Sequence, residues 1–468
     1  MTTRTLTRRA ASPARLNAAS IIGDAITLVV GLSSSFTVHL VGELPVAEVI
    51  LVIFLPVFII LRGARLVRPG LKTVFNLMVL WLFGAVLTDI YRATPAHDWL
   101  RGDATIVFFA IDLLGVAVLV GKNERRKVIF LAAFAIGALL AVRFQPSVLT
   151  DFWKFGYSTG TNLLVALISC YFFSRRQYAI AGLLLAGIMG VNLLFDFRSQ
   201  VLFFLIAMVL ALPVIPEQVG GLRILPRAGS AARLAVLAGL ALAAGGSAYG
   251  VVHLASASGL LGDEAQAKDE GEARSGGGVL LGGRPEILVS SRAVWDSPIL
   301  GHGSWAKDVK YLEMLNDLQA EYGSGFDLNN AEELSEGVIP AHSHLMGAWI
   351  QAGILGAFIW FYLFFLALKA IVRISVLRPA CTPIYAFMLV ALLWDILFSP
   401  FGMTKRMTEA LLIVIMVDLL ESAPQAVKSL VRSRFAAWRR RPARGAVLPS
   451  RLSPRHSRPG GASDSIAG

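Results

Sequence analysis

Apolar runs of about 20 residues recur from residue 19 to residue 421, and nothing constrains this chain more. A helix rises 1.5 Å per residue, so each run is long enough to cross a bilayer. Twelve segments fit that length: 19–38, 44–61, 73–91, 104–121, 128–142, 160–174, 178–196, 199–215, 233–252, 343–372, 381–398 and 407–421. Composition agrees: 56% of the 468 residues are hydrophobic and only 16% are charged. A soluble globular chain carries about 25% charged residues. The expected fold class is therefore an all-α polytopic membrane protein of about twelve transmembrane helices. A disordered chain, a disulfide scaffold and a secreted enzyme are excluded. The first run has no small-residue cleavage site after it, so it reads as a retained helix.

The formal charge of +12 has a topological reading. With the N-terminus inside, the intervening segments alternate in basic content. Arg4, Arg8, Arg9 and Arg15 precede span one, and Arg62, Arg65, Arg68 and Lys72 follow span two. Lys122, Arg125, Arg126 and Lys127 come next, then Arg175 and Arg176, then Arg223, Arg227 and Arg233. Lys369, Arg373, Arg378 and ten more residues in the tail complete the set. In all, 30 of the 43 Lys and Arg fall on the inner side. The positive-inside rule expects this. It predicts both termini in the cytoplasm and argues against a nucleic-acid footprint.

Five regions follow. Residues 1–18 are a basic cytoplasmic N-terminus, and 19–252 hold spans one to nine. Residues 253–341 form a large outer loop between spans nine and ten. Residues 342–421 hold spans ten to twelve, and 422–468 are a basic tail. The loop carries 15 acidic and 6 basic residues. Its first part, 263–278, reads as flexible. Its second part has Trp295, Trp305, Tyr311 and Tyr322, enough apolar surface to pack on the membrane domain. Val309, Leu312, Leu315 and Leu318 make an amphipathic stripe over 309–321. The tail reads as an amphipathic helix, then disorder from about residue 440. It suits anionic lipid of the inner leaflet, or serves only to stop transfer.

Cys170 and Cys381 are the only cysteines, one inside a span and one at an inner loop. They support no structural disulfide and no cysteine metal site. There is no Walker loop and no dinucleotide fingerprint, so no cofactor is expected.

Three segments carry candidate chemistry. His342-Ser343 opens span ten, with nine residues between Ser343 and the Gly353-x-x-Gly356 pair. A neutral histidine at a water–lipid boundary can accept a proton from a hydroxyl; equally, it can merely anchor a helix end. The two glycines would let a neighbouring helix approach closely. Arg284-Pro285-Glu286-Ile287-Leu288 lies in the loop, and Arg198-Ser199 lies at the outer end of span seven. Two guanidiniums can clamp a diphosphate. The plain alternatives are that Arg198 pairs only with Asp196 and that Arg284 pairs within an acidic loop. His344 is a secondary candidate. With His302, His253 and loop carboxylates it could make a zinc site, but a separation of two from His342 is awkward on a helix, and no metal is expected. Arg292, eleven residues before Gly303, is another. Asp24 and Asp112 lie inside spans, where an ionisable group is either functional or paired with a neighbouring helix.

Together these segments resemble the O-antigen ligase and polymerase superfamily. His342-Ser343 with Gly353 and Gly356 matches its H-[N/S/Q]-x9-G-x-x-G signature. Arg284 to Leu288 matches its R-x3-L loop motif. Arg198-Ser199 matches its S-R-G position, with Gln200 in place of glycine. Gly160-Thr161-Asn162 is similar to its G-x-x-x-N-x-N element. Arg292 with Gly303 resembles an Arg-x10-Gly pattern of some polymerases. The similarity covers roughly residues 155–370.

The resemblance implies a bacterial inner-membrane, metal-independent, inverting glycosyltransferase of GT-C type acting on the periplasmic face. The donor would be a glycan on undecaprenyl diphosphate. The acceptor would be a glycan, lipid A–core or a protein hydroxyl. Arg198 and Arg284 would hold the diphosphate, and His342 would activate the acceptor. The competing expectation is a secondary transporter or lipid-linked glycan flippase. Against it, the sequence shows no paired repeat.

Overall fold

The computed structural model describes residues 18–39, 43–62, 68–144, 151–212, 230–259, 266, 284–322, 336–377 and 379–439. Residues to Ala423 form one compact unit and Pro424–Gly468 a second. Of the second unit, only a helical stretch reaching Arg439 is described. The expected disorder after residue 440, the lipid-binding reading of the tail and the flexible stretch at 263–278 concern residues or side chains outside those described.

Helices overlap each of the apolar runs. They are α1 (Ala18–Ser33), α2 (Val46–Arg62), α3 (Pro69–Arg92), α4 (Ala96–Leu119), α5 (Glu124–Ala141) and α6 (Ser158–Ser174). Then come α7 (Tyr178–Leu194), α8 (Arg198–Ala211) and α9 (Ser230–Ala257). The loop contributes α10 (Glu286–Asp296) and α11 (Val309–Tyr322). The last are α12 (His344–Leu377), α13 (Thr382–Phe398) and α14 (Met403–Arg439). Among the described residues, four helical segments are long and apolar enough to cross a membrane: Pro69–Arg92, Ala96–Leu119, Glu124–Phe144 and His344–Ser375. Several shorter apolar helices accompany them. The chain is a helical membrane protein. One departure from all-α is a small hairpin, in which Thr37–His39 pairs antiparallel with Glu43–Pro45.

Local chemistry sets the helix ends. Pro69 opens α3, where a missing N–H costs nothing. Asn123 caps α5 by accepting from the N–H groups of Arg125 (3.1 Å) and Arg126 (3.4 Å).

Between helices in lipid, burial of apolar surface supplies little drive, so close packing and polar pairs carry association. Gly84 on α3 shows the first. A Cβ there would sit 2.8 Å from Leu355 Cβ and 3.1 Å from the Ala352 carbonyl, so its absence lets α12 close on α3. Polar pairs show the second, and they gather at opposite ends of the bundle. At one end Arg68 bonds Asp418 and Glu421, Lys122 bonds Glu421 (3.1 Å), and Lys127 bonds Asp418 (2.6 Å). Asp24 takes Arg126 at 2.9 Å and Arg125 at 3.2 Å. Asp24 thus takes the structural alternative of the two readings given above.

The loop docks on the other end. Asp89 of α3 accepts from Ser304 N and Oγ, both at 2.6 Å. Arg92 donates to the Gly301 carbonyl at 2.7 Å, and Lys307 meets Asp98 at 3.1 Å. Val289, Ala293, Tyr311, Leu315, Ile339 and Ile350 form a small core between the loop and α12. The expected amphipathic helix is present: Leu315 is buried and Leu312 and Leu318 pack against the same core, joined by Tyr311, whereas Val309 is 62% exposed. Trp295 was expected to pack and is instead 79% exposed.

Candidate functional site

The C-terminal turn of α13 gathers the sequence motifs. A helix end leaves carbonyls without intrahelical donors. Here three side chains from two distant segments supply them. Ser343 Oγ donates to the Ile396 carbonyl (2.8 Å), His344 Nδ1 to the Ser399 carbonyl (2.6 Å), and Arg284 to the Phe398 carbonyl. The Arg284 guanidinium also lies over the rings of Trp394 (5.2 Å) and Phe398 (5.8 Å). A cation at a helix C-terminus complements its partial negative charge.

His342 is the half-buried residue just before this cap. Ser343 doubles as the N-cap of α12, accepting from Met346 N at 3.1 Å. His342 therefore precedes the helix and His344 begins it.

Arg198 is the first residue of α8, and its Nε donates to Asp196 Oδ1 at 2.7 Å. Helix α8 packs on α13. Phe204 stacks on Phe387 (4.4 Å), and Phe203 reaches Trp394 (5.7 Å). Late in α6, Cys170 lies beside Cys381 at the start of α13, and early in α6 Asn162 meets Gln200 at the start of α8, so α8 runs antiparallel to α13. Arg198 lies at the same end of the pair as Phe398, and Trp394 bridges Arg284 to Phe203.

The weaker motif elements also meet. Asn162 donates to Gln200 at 3.3 Å, and Asn192 donates to Asn162 at 2.9 Å. Gln200, at the motif's glycine position, is thus tied to Asn162 of the other element.

Gly353 has a different role from the one expected. Helix α12 is broken at Ala352 and Gly353 (φ 61°, ψ −157°). Into the break comes the loop rather than a helix. Ile350 and Gln351 carbonyls accept from His302 N (2.6 Å) and Gly303 N (3.2 Å), and Ile354 N donates to Ile299 O (3.2 Å). Gly356 faces its own helix, since a Cβ there would lie 2.3 Å from the Ala348 carbonyl.

The other candidates are placed as follows. Arg292 pairs with Asp296 on its own helix at 3.0 Å. Asp296 also accepts from Lys310 Nζ (2.8 Å) and Tyr311 Oη (2.8 Å). The Lys310 hydrogen bond, with that of Tyr311, holds the Asp296 carboxyl down at about 2. Burial, with the Asp296 carboxylate, pushes the Tyr311 phenol well up. The zinc grouping of His344 with His302 and His253 is not formed. His302 Nε2 meets the Ala293 carbonyl (2.8 Å), and His253 stacks on Tyr249.

His344 joins a buried group instead. It is fully buried against the rings of Trp360 (4.8 Å) and Phe401 (5.2 Å). Its Nδ1 faces a carbonyl and so carries a hydrogen. Its Nε2 lies 2.6 Å from Glu409 Oε1. His344, Asp395 and Glu409 present donor atoms within 4.8 Å of one another, a set able to hold a metal ion. Lys405, at 2.8 Å from Asp395, already balances it as an ion-pair network. Sequence reading missed Asp395 and Glu409, as well as Glu48. The signal was there, since each is a single ionisable residue inside an apolar run. Asp112 is fully buried beside Glu48.

Comparison with protein-family models finds no match, and comparison with curated proteins finds none either.

Proposed function

We propose that the chain transfers a glycan from undecaprenyl diphosphate to an acceptor hydroxyl on the periplasmic face of a bacterial inner membrane, as an O-antigen or exopolysaccharide ligase or polymerase. The observation that carries this reading is the gathering of the Arg284, Ser343 and His344 segments on the last turn of α13, with α8 bringing Arg198 to the same end. The reading includes about twelve crossings, both termini in the cytoplasm and the 253–341 loop outside. It rests on the charge distribution.

In this mechanism Arg284 exchanges its carbonyl partner for the donor diphosphate, and Arg198 exchanges Asp196 for the same group. Fork-shaped, charge-assisted hydrogen bonds hold the diphosphate and offset the charge it gains on leaving. His342 takes the acceptor's hydroxyl proton as its oxygen attacks the anomeric carbon. The bond from that carbon to the diphosphate oxygen breaks, the configuration inverts, and the lipid diphosphate departs. No metal or cofactor takes part. A glycan, lipid A–core or a protein hydroxyl serves as acceptor.

The tests are Arg284→Ala and His342→Ala, each expected to lower transfer by roughly 10²–10³ while membrane insertion is kept. Wild-type surface glycan in both variants would refute the assignment. A deletion strain then separates the activities: accumulated single repeats on the carrier indicate a polymerase, and accumulated long polymer indicates a ligase.

A carrier, either a secondary transporter or a lipid-linked glycan flippase, is the second reading. It is favoured by the ionisable groups buried within the helices. On that reading, purified protein in vesicles moves its substrate across but forms no glycosidic bond.

A further inference from the structure

Glu48 of α2 and Asp112 of α4 are both 0% exposed, and their carboxyl groups face each other. Arg406 of α14 donates Nε and Nη2 to the two oxygens of Glu48, each at 2.8 Å. Among the described residues, neither oxygen of Asp112 has a hydrogen-bond donor. One guanidinium therefore faces two carboxyl groups, and it is committed to one of them.

The neighbouring charges do not make up the difference. Glu409, one turn after Arg406, is paired with His344 at 2.6 Å. Asp395 is matched by Lys405. On α1, Asp24 is matched by Arg126 and Arg125. On α3, Asp89 takes Ser304, and Arg92 donates to Gly301. On α4 itself, Asp103 accepts from Trp99 and Asp98 from Lys307. Two carboxylates in contact cannot both ionise away from water, because each disfavours the charge of the other and neither is solvated. A proton between them removes the excess charge and gives Asp112 the partner it otherwise lacks.

We propose that Asp112 and Glu48 form a buried proton-binding site, holding one proton between two carboxyl groups with Arg406 as fixed counter-ion. The site takes part in neither half of the glycan-transfer mechanism and stands whichever function is correct.

The experiment is infrared difference spectroscopy of the full chain in lipid nanodiscs at neutral pH, with aspartate carboxyls isotopically labelled. Wild type minus Asp112→Asn should show one protonated-carboxyl carbonyl band that shifts in heavy water. Thermal stability of Asp112→Asn should match wild type, since the amide keeps the shape and the neutral charge. Glu48→Gln should also remove the band, and should lower stability by leaving Arg406 without its carboxylate. Three outcomes overturn the proposal. One is the absence of a protonated-carboxyl band in the difference spectrum. Another is a wild-type band abolished by sodium, which would make the ligand an alkali cation. The third is a destabilised Asp112→Asn, which would mean that Asp112 acts as an ionised partner of Arg406.

Discussion

Substituting alanine for Gly353 should undock the loop from α12 without unfolding the bundle. Two terms set the size. The backbone at φ 61°, ψ −157° is open in practice only to glycine, and forcing a Cβ into such a region costs about 1–3 kcal/mol. That Cβ would also lie 1.9 Å from the Ile299 carbonyl oxygen, so the loop must move. Moving it breaks the bonds His302 N to Ile350 O, Gly303 N to Gln351 O and Ile354 N to Ile299 O. At about 0.5–1.5 kcal/mol for each bond the total is roughly 3–7 kcal/mol. The assay is amide hydrogen exchange in detergent: His302, Gly303 and Ile354 should lose protection by two or more orders of magnitude. Gly347→Ala is the control, because it lies in the same helix with only Ala341 Cβ near, at 3.9 Å. There alanine should be neutral or stabilise by up to about 1 kcal/mol. Unchanged protection in Gly353→Ala would refute the account of the break.

Other consequences are testable separately. His344→Ala leaves Glu409 and the Ser399 carbonyl without their donor in the interior; it should cost about 3–5 kcal/mol, read as a lowered melting midpoint. The Asp296 carboxyl, held at about 2 by Lys310 and Tyr311, contributes to loop stability above the unfolded value of about 4. That contribution disappears as pH falls from about 4 through about 2, so exchange in α10 and α11 should quicken there, and Asp296→Asn should remove the pH dependence. The Cys170 and Cys381 thiols are close neighbours. A mild oxidant should therefore link α6 to α13, seen by peptide mass mapping, and Cys170→Ser should prevent it.

Helix positions were legible because a run of about 20 apolar residues is a local signal, and so was the helix at Val309–Tyr322. Its buried stripe was legible at Leu312, Leu315 and Leu318, but the burial of Tyr311 was not, since it is set by docking on Ile350 of α12. Arg284, Arg198 and His342 were singled out from motif spacing. The end of α13, where Arg284, Ser343 and His344 meet, carries no motif, because it contributes backbone carbonyls that any residue possesses. His344 looked like the spare member of a pair and lies in the interior, where Glu409 and the Ser399 carbonyl hold it. The pairs Arg68–Asp418 and Glu48–Arg406 join opposite ends of the sequence, where no periodicity can announce them. Nor did the two cysteines declare their contact, since they lie on segments that sequence reading kept apart.

The break in α12 also bears on the order in which the protein can be assembled. A helix interrupted in lipid exposes backbone groups that no lipid can satisfy. Here the groups that meet them come from Ile299, His302 and Gly303, which are synthesised before α12 begins. The ribosome therefore delivers the splint ahead of the fracture it will bind. A version of the chain with the loop moved behind α12 would contain the same contacts but would present the broken helix to the membrane with nothing yet made to receive it.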